Sequence, residues 1–534
     1  MTTAQTNQKE HSAAAPKAGA KIRVALIGED TCPVAMGASN TWNEQLVNGL
    51  PDYHFEIVKL VGDQSIPVNL SKSPARVSTI PVGDPPSRAR LTGRKVEEQR
   101  VKTALNELWN AALPKQDPEQ SHTMQATSAL KELARGTRHQ LAATLHRINS
   151  AALVAEAWSR HRSSRPELPH LTTAQAEQVA HYANQFLAVL DVSWPQVDIC
   201  HVTSNGPAVL VGLARHWRDG SPLLLTEHGV CLRERYQGLE DLGLAHPVRT
   251  ALLGLSRVVC QVAYAEAAKL LPVNEFLAKW ARQLGADKQR VHTVHYGVDA
   301  EAFPEITTEP EVPTVSFVGP IHPSMDLATM IRAFATVTQR IPEAKLRIFG
   351  KIPKQKREYY QQLTALVEEL KLGNAVSFED KEPNTREAAE AGHLVALSSV
   401  SERVPFSVLE AMACARATIS TDVGGTREIT GHDGLSGALV PRRSPEALAK
   451  EIIRLLLDGP ARRRLGFRAR ERAMEKFPLE LFLNRMRDEY RQVLAPAPVS
   501  AAAVVQGGTQ QAAKERPSMT QHVLPALKTA ARQA

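Results

Sequence analysis

Hydrophobic and polar positions along this chain follow two rhythms. Short apolar runs that end in glycine or a polar turn read as buried strands, and apolar residues recurring every three or four positions read as helices. The first strand covers 21–27 and ends at Gly28. A helix from about Asn40 carries Trp42, Leu46 and Leu50 on one face, and 55–58 returns to strand. From 64 to about 165 the pattern turns to helical stretches such as VEEQRVKTALNELWNAAL, which predicts a helical insertion. Strands are expected again at 197–202, 222–226, 257–260, 268–272 and 291–294.

A segment rich in proline and acids, 304–313, interrupts the pattern and reads as a linker. A second series follows, with strands at 314–318 ending at Gly319, 345–349 ending at Gly350, 376–378, 394–397 and 417–420. Alternating strands and helices predict parallel α/β sheets. Two such series predict two facing Rossmann-like domains, 21–303 and 314–478, with a ligand cleft beyond the carboxyl ends of their strands. In the last helical stretch, 479–494, Phe482, Met486, Tyr490 and Val493 form an apolar stripe, and it is expected to cross back to the N-terminal domain. The ends, 1–20 and 495–534, have the composition of disordered tails.

Bulk composition narrows the function classes. A chain of 534 residues is too long for one core. No apolar run reaches the length of a membrane span and the N-terminus lacks an apolar signal core, so a cytoplasmic protein without a transmembrane segment is expected. Cys32, Cys200, Cys231, Cys260 and Cys414 show no metal-ligand spacing, so reduced thiols and no metal centre are expected. The net charge of +8 is spread along the chain without an aromatic-and-basic motif, so no nucleic-acid partner is expected. The arginine-rich stretch 461–472 reads as a solvated helix face rather than a membrane contact.

The sharpest chemical signal is Ser401-Glu402-Arg403-Val404-Pro405-Phe406-Ser407-Val408-Leu409-Glu410-Ala411-Met412-Ala413. It runs from a strand end into a helix start, where backbone N–H groups favour anions and carboxylates are placed to accept hydroxyl hydrogen bonds. This run resembles the E-x7-E motif of glycosyltransferase family 4, retaining nucleotide-sugar transferases of GT-B fold. Thr421-Asp422-Val423-Gly424-Gly425-Thr426-Arg427-Glu428 resembles the family's next signature loop, and Gly28 to Trp42, with Gly37, its glycine-rich entrance loop. The run from Leu225 through Glu227, His228 and Gly229 to Arg235 is similar to the PelF-type branch, exopolysaccharide transferases that use UDP-glucose.

The resemblance implies roles by position. Gly37 would approach the donor diphosphate or the acceptor, and His228 would lie near the sugar. Glu402 would contact the donor hexose and Glu410 the ribose, while Arg427 would brace its loop or reach a phosphate. It also implies a UDP-hexose donor rather than a bound cofactor, a glycan or other acceptor, and polysaccharide-synthesis proteins as partners. The chain departs from the pattern after the strand 314–318, where the family places an arginine and a lysine on the diphosphate. Pro320 and Met325 stand there, and neither donates a charged hydrogen bond. Ala38 replaces a glycine, Arg403 stands where glycine is preferred, and Tyr296 replaces an asparagine. Two readings follow: a transferase with an altered site in which Arg403 returns a cation to the phosphates, or a non-catalytic homologue that binds or assembles.

Overall fold

The computed structural model of the chain describes residues 21–29, 38–61, 76–81, 95–114, 120–135, 140–192, 196–352, 356–380 and 384–495. Gly37 lies outside the described residues. The first sheet is formed by β1 (Ile22–Glu29), β2 (Tyr53–Val61), β3 (Arg76–Pro81), β4 (Ile199–Val202), β5 (Leu223–Glu227) and β6 (Lys269–Pro272). Their order is β3-β2-β1-β4-β5-β6, with every pairing parallel. Every residue of β4 and β5 is buried. Helices cover both faces of a parallel sheet, which is why these strands read as unbroken apolar runs.

The second sheet comprises β7 (Thr314–Val318), β8 (Lys345–Phe349), β9 (Val376–Phe378), β10 (Leu394–Leu397), β11 (Ala417–Thr421) and β12 (Ala438–Val440). Its order is β12-β11-β10-β7-β8-β9, again parallel throughout. In each sheet the strand order reverses once, between β1 and β4 and between β7 and β10. Such switch points open a crevice at the strands' carboxyl ends.

Two compact units contain these sheets. The first runs to Pro272 and takes in Ala278–His292 and the chain from Arg487; the second holds Val273–Leu277 and Thr293–Met486. The final helix, Leu479–Leu494, belongs partly to each. Tyr490, in the first unit, is fully buried with its ring 5.3 Å from Tyr53 and 6.4 Å from Phe55. Phe482 and Leu479, in the second, lie against Gly297, where an added Cβ would stand 2.6 Å from the Leu479 Cα.

Several expectations change. Residues 257–260 are not a strand but part of the helix His246–Glu266, in which Val258, Val259 and Cys260 are all buried. A helix enclosed on most sides shows an apolar run that a short window cannot distinguish from a strand. Of 291–294, only Val291 pairs, through one bridge to Leu270. The stretch from 64 to about 165, expected as a helical insertion, also includes β3. Its helices Lys95–Ala112, Gln120–Ala134, Gln140–Arg147 and Ser150–Ser163 are followed by Thr173–Ala188. Leu108, Trp109, Leu133, Trp158 and Val179 share one core with Ala25, Val58 and Leu223 of the sheet, so these helices are part of the first unit's interior.

The proline-rich segment before β7 forms no regular element but is fastened to the second unit. The Ile306 amide donates to the Cys414 carbonyl at 3.1 Å, and Arg462 grips Glu309 with bonds of 2.8 and 2.7 Å. The arginines of the helix Gly459–Lys476 are correspondingly divided, and only some form a solvated face. Arg462 is buried and Arg472 donates to the Ile429 and Glu428 carbonyls, whereas Arg463 and Arg468 are exposed.

Candidate functional site

In the second unit, the chain leaving β10 passes through Ser398 and Ser399, both fully buried, before it reaches Glu402. The Ser399 hydroxyl donates to Glu402 Oε1 at 2.6 Å and lies 3.3 Å from Met325 Sδ. The Ser398 hydroxyl donates to the Met325 carbonyl at 2.9 Å. The position where the family resemblance calls for a lysine is therefore beside the Glu402 carboxyl and holds a thioether. Burial pushes the Glu402 pKa up, against the Ser399 hydrogen bond and the Arg403 charge.

Glu410 lies in the helix Phe406–Ala413, whose first turn holds no acid. The Thr385 hydroxyl donates to its Oε2. Burial raises the Glu410 pKa to about 7, so the group is partly protonated near neutrality and can donate as well as accept.

The loop after β11 is interlocked with the loop after β10. Gly424 has φ +57°, and a Cβ there would stand 1.7 Å from the Glu402 carbonyl oxygen. Only glycine meets both demands. Asn274 Nδ2 donates to the Arg403 carbonyl at 2.7 Å, and the Leu277 amide donates to Asn274 Oδ1 at 2.8 Å. Glu428 accepts from the amides of Glu275 and Phe276 at 2.8 and 2.9 Å and lies 3.2 Å from His295 Nε2. Burial pushes the Glu428 pKa up, but His295 and those amides outweigh it and hold the carboxyl below its ordinary range.

The cations named from sequence differ in their commitments. Arg427 is exposed and paired with Asp422, whose Oδ1 lies 3.0 Å from its Nε; it braces its own loop. Arg403 is half-buried and close enough to Tyr296 for its charge to oppose the rise that burial imposes on that phenol. The Tyr296 ring is buried and stacked on Phe406 at 4.4 Å.

In the first unit, His228 follows the end of β5. It is buried, with its ring 5.0 Å from Trp42 and nearly perpendicular to it. The same indole lies 5.5 Å from the His201 ring. The His201 ring bridges Tyr490, 2.8 Å from Nδ1, and the Thr226 hydroxyl, 2.7 Å from Nε2. Burial lowers the His201 pKa to about 3, so the ring stays neutral and couples these partners without charge. Beside it, Glu227 accepts from Tyr264 at 2.7 Å and from Asn205 at 3.4 Å, and burial raises its pKa to about 7.

Sequence reasoning missed His201, Asn205, Glu227, Tyr264, Asn274, His295 and Glu428. Glu227 lay inside a recognised loop, and Glu428 in another; the remainder carried no local signal. Among the described residues, no three His, Cys, Asp or Glu side chains gather as a metal-binding group. None of their helices is long and apolar enough to cross a membrane.

Comparisons with known proteins agree with this division. Residues 22–289 match the family model described as a domain of unknown function, DUF3492, and residues 299–472 match glycosyl transferases group 1. N-acetyl-alpha-D-glucosaminyl L-malate synthase of Bacillus anthracis is 32% identical over 31% of this chain and 42% of its own. D-inositol 3-phosphate glycosyltransferase 1 of Catenulispora acidiphila is 30% identical over 47% of this chain and 64% of its own. The chain thus spans about half the length of the curated relatives it matches. Among solved structures, the sucrose-phosphate synthase of Thermosynechococcus elongatus has 19% identity and TM-score 0.57, over 88% of this chain and 99% of that one. Anabaena HepE, in complex with UDP and glucose, has 15% identity and TM-score 0.58, over 88% of this chain and 100% of its own. The fold is GT-B.

Proposed function

We propose that this chain, which belongs to the DUF3492 family and carries a glycosyl transferases group 1 domain, transfers a hexose with retention from a nucleoside diphosphate sugar, a UDP-hexose, to a glycan or other acceptor. The observation that carries the reading is the pair of protected carboxyls, Glu402 on Ser399 and Glu410 on Thr385, at the second sheet's switch-point edge. Carboxyls held this way are equipped to take hydroxyl hydrogen bonds from a sugar and a ribose. HepE, which shares the fold, is solved with UDP and glucose, and this supports the choice of donor. The PelF-like loop around His228 supports an acceptor in exopolysaccharide synthesis and partner proteins from that machinery.

In retaining transfer, negative charge grows on the departing diphosphate, and preorganised cations there lower the barrier. With Pro320 and Met325 at the usual cation positions, Arg403, which the sequence places beside Glu402, is the candidate to carry that charge. His228 would face the sugar, and the neutral His201 and the Trp42 ring would hold it there.

The same two substitutions favour a second reading, a catalytically degenerate homologue that binds nucleotide or assembles with a polysaccharide synthase. Titration calorimetry with UDP and with ADP, followed by a donor-hydrolysis assay with UDP-glucose, separates the readings. Binding with hydrolysis supports the transferase. Binding without turnover supports the degenerate homologue, and no binding of either nucleotide removes the transferase and leaves only a homologue that assembles.

A further inference from the structure

At the switch point of the first sheet, between β1 and β4, the chain leaving β4 enters the helix Pro207–Asp219. The strand ends are held together there, since the Thr203 amide and hydroxyl both donate to the Ile27 carbonyl, at 2.9 and 3.2 Å. A helix start at such a place offers its backbone N–H groups and its dipole to an anion. Here the chain supplies the anion itself. Glu29, the last residue of β1, accepts on Oε1 from the Ala208 amide at 2.9 Å and from the Ser204 hydroxyl at 2.8 Å. Pro207 has no N–H, so the amide that Glu29 takes is the first one the helix has to give. The fit also dictates the residue beneath it: a Cβ at Gly206 would stand 2.4 Å from Oε1 and 2.9 Å from Oε2 of Glu29.

A second observation concerns the residue between Ser204 and Gly206. Asn205 is 2% exposed, and its Oδ1 has no hydrogen-bond partner among the described residues. Its Nδ2 donates to Glu227 at 3.4 Å. A buried amide oxygen left in this way needs a donor. An O–H supplies one, and an ionised phosphate or carboxylate does not.

We infer that Glu29 is a specificity-determining residue: by filling the anion position at this helix start, it turns away acceptors that carry phosphate or carboxylate and leaves the edge to an uncharged acceptor that presents hydroxyls. The inference deepens the transferase reading and rests on it for one point, that this edge of the first unit receives the acceptor. His228 follows β5 on the same edge, beside β4. An incoming phosphate meets the Glu29 charge and finds the Ala208 amide and the Ser204 hydroxyl already engaged. A hydroxyl needs neither of them.

The test is titration calorimetry of the full chain with glucose 6-phosphate, and with glucose in parallel, for the native protein, Glu29→Ser and Glu29→Gln. Serine vacates the helix start. Glutamine keeps a side chain there and removes the charge, so the comparison survives if one variant folds poorly. Glu29→Ser should bind glucose 6-phosphate about tenfold or more tightly than the native chain does, since a freed helix start makes charge-assisted bonds to phosphate. Glu29→Gln should show a smaller gain, and both gains should shrink with added salt. Glucose should bind all three proteins alike. Equal gains for glucose and glucose 6-phosphate would mean that Glu29 only blocks space, and would overturn the proposal. So would an affinity for glucose 6-phosphate that neither variant raises. A UDP titration of the native chain reads the transferase proposal separately. If UDP binds and the variants gain nothing, only this inference falls; if UDP does not bind and the variants gain as expected, the transferase falls and the exclusion of anions stands.

Discussion

At the scale of single residues, the proposal for the second unit rests on two carboxyls. Glu410 has a folded-state pKa of about 7, above the ordinary 4.5. Folded protein therefore binds more protons than unfolded chain between those values, so stability falls as pH rises through that window and levels off above 7. Glu410→Gln removes the dependence. In urea titrations the variant should gain on the native protein between pH 5 and 7, by on the order of 1–3 kcal/mol; a constant offset would show that the carboxyl is not buried as described. Glu402→Gln should weaken donor use more than folding, with a loss of roughly 1.5–3 kcal/mol if the carboxylate accepts a sugar hydroxyl. Placing cations at 320 and 325 gives the complementary test. Pro320→Arg with Met325→Lys should tighten UDP binding by tenfold or more, since charge-assisted bonds to phosphate are strong. An ammonium at 325 would also stand near the Glu402 carboxyl, which Ser399 links to the Met325 sulfur. If neither this pair nor Arg403→Ala changes the affinity for any nucleotide, the edge is not a phosphate site.

At the scale of elements, long-range partners decide which segments are rigid. The final helix is anchored in the first unit by Tyr490, whose hydroxyl meets the buried His201 at 2.8 Å. Tyr490→Phe leaves that imidazole nitrogen unsatisfied and should cost about 1–3 kcal/mol in chemical denaturation; a neutral change would mean water replaces the hydroxyl. The segment before β7 is held in the same way by Arg462 on Glu309. Arg462→Ala should cost about 2–3 kcal/mol, at or just below the bottom of the range for a broken buried pair because Glu309 keeps some solvent. Limited proteolysis near 305–312 would report the release. Strands and helices were legible wherever the period was clean, as in β1, β4, β7 and β10. The helix His246–Glu266 was misread at 257–260 because its neighbours enclose it, and enclosure is a property of packing rather than of sequence period. β3 was missed because a short edge strand carries little signal.

At the scale of the whole molecule, ligand binding and folding are linked. If the chain binds UDP, a hundredfold excess over Kd should raise its stability by about 2.7 kcal/mol. A matching shift in thermal midpoint with UDP, absent with uridine, would place the affinity on the phosphates. The sequence by itself determined two parallel α/β series, the E-x7-E run and the presence of Pro320 and Met325 after the strand 314–318. Each of these is written in neighbouring residues, and period and motif are local properties. Only the tertiary structure decided that Arg427 is committed to Asp422 and that Glu410 and Glu227 hold protons near neutrality. It also decided that His201 is a neutral bridge between Tyr490 and Thr226, positions far apart along the chain. Desolvation and partner choice depend on groups brought together by folding, and no pattern in neighbouring residues encodes them.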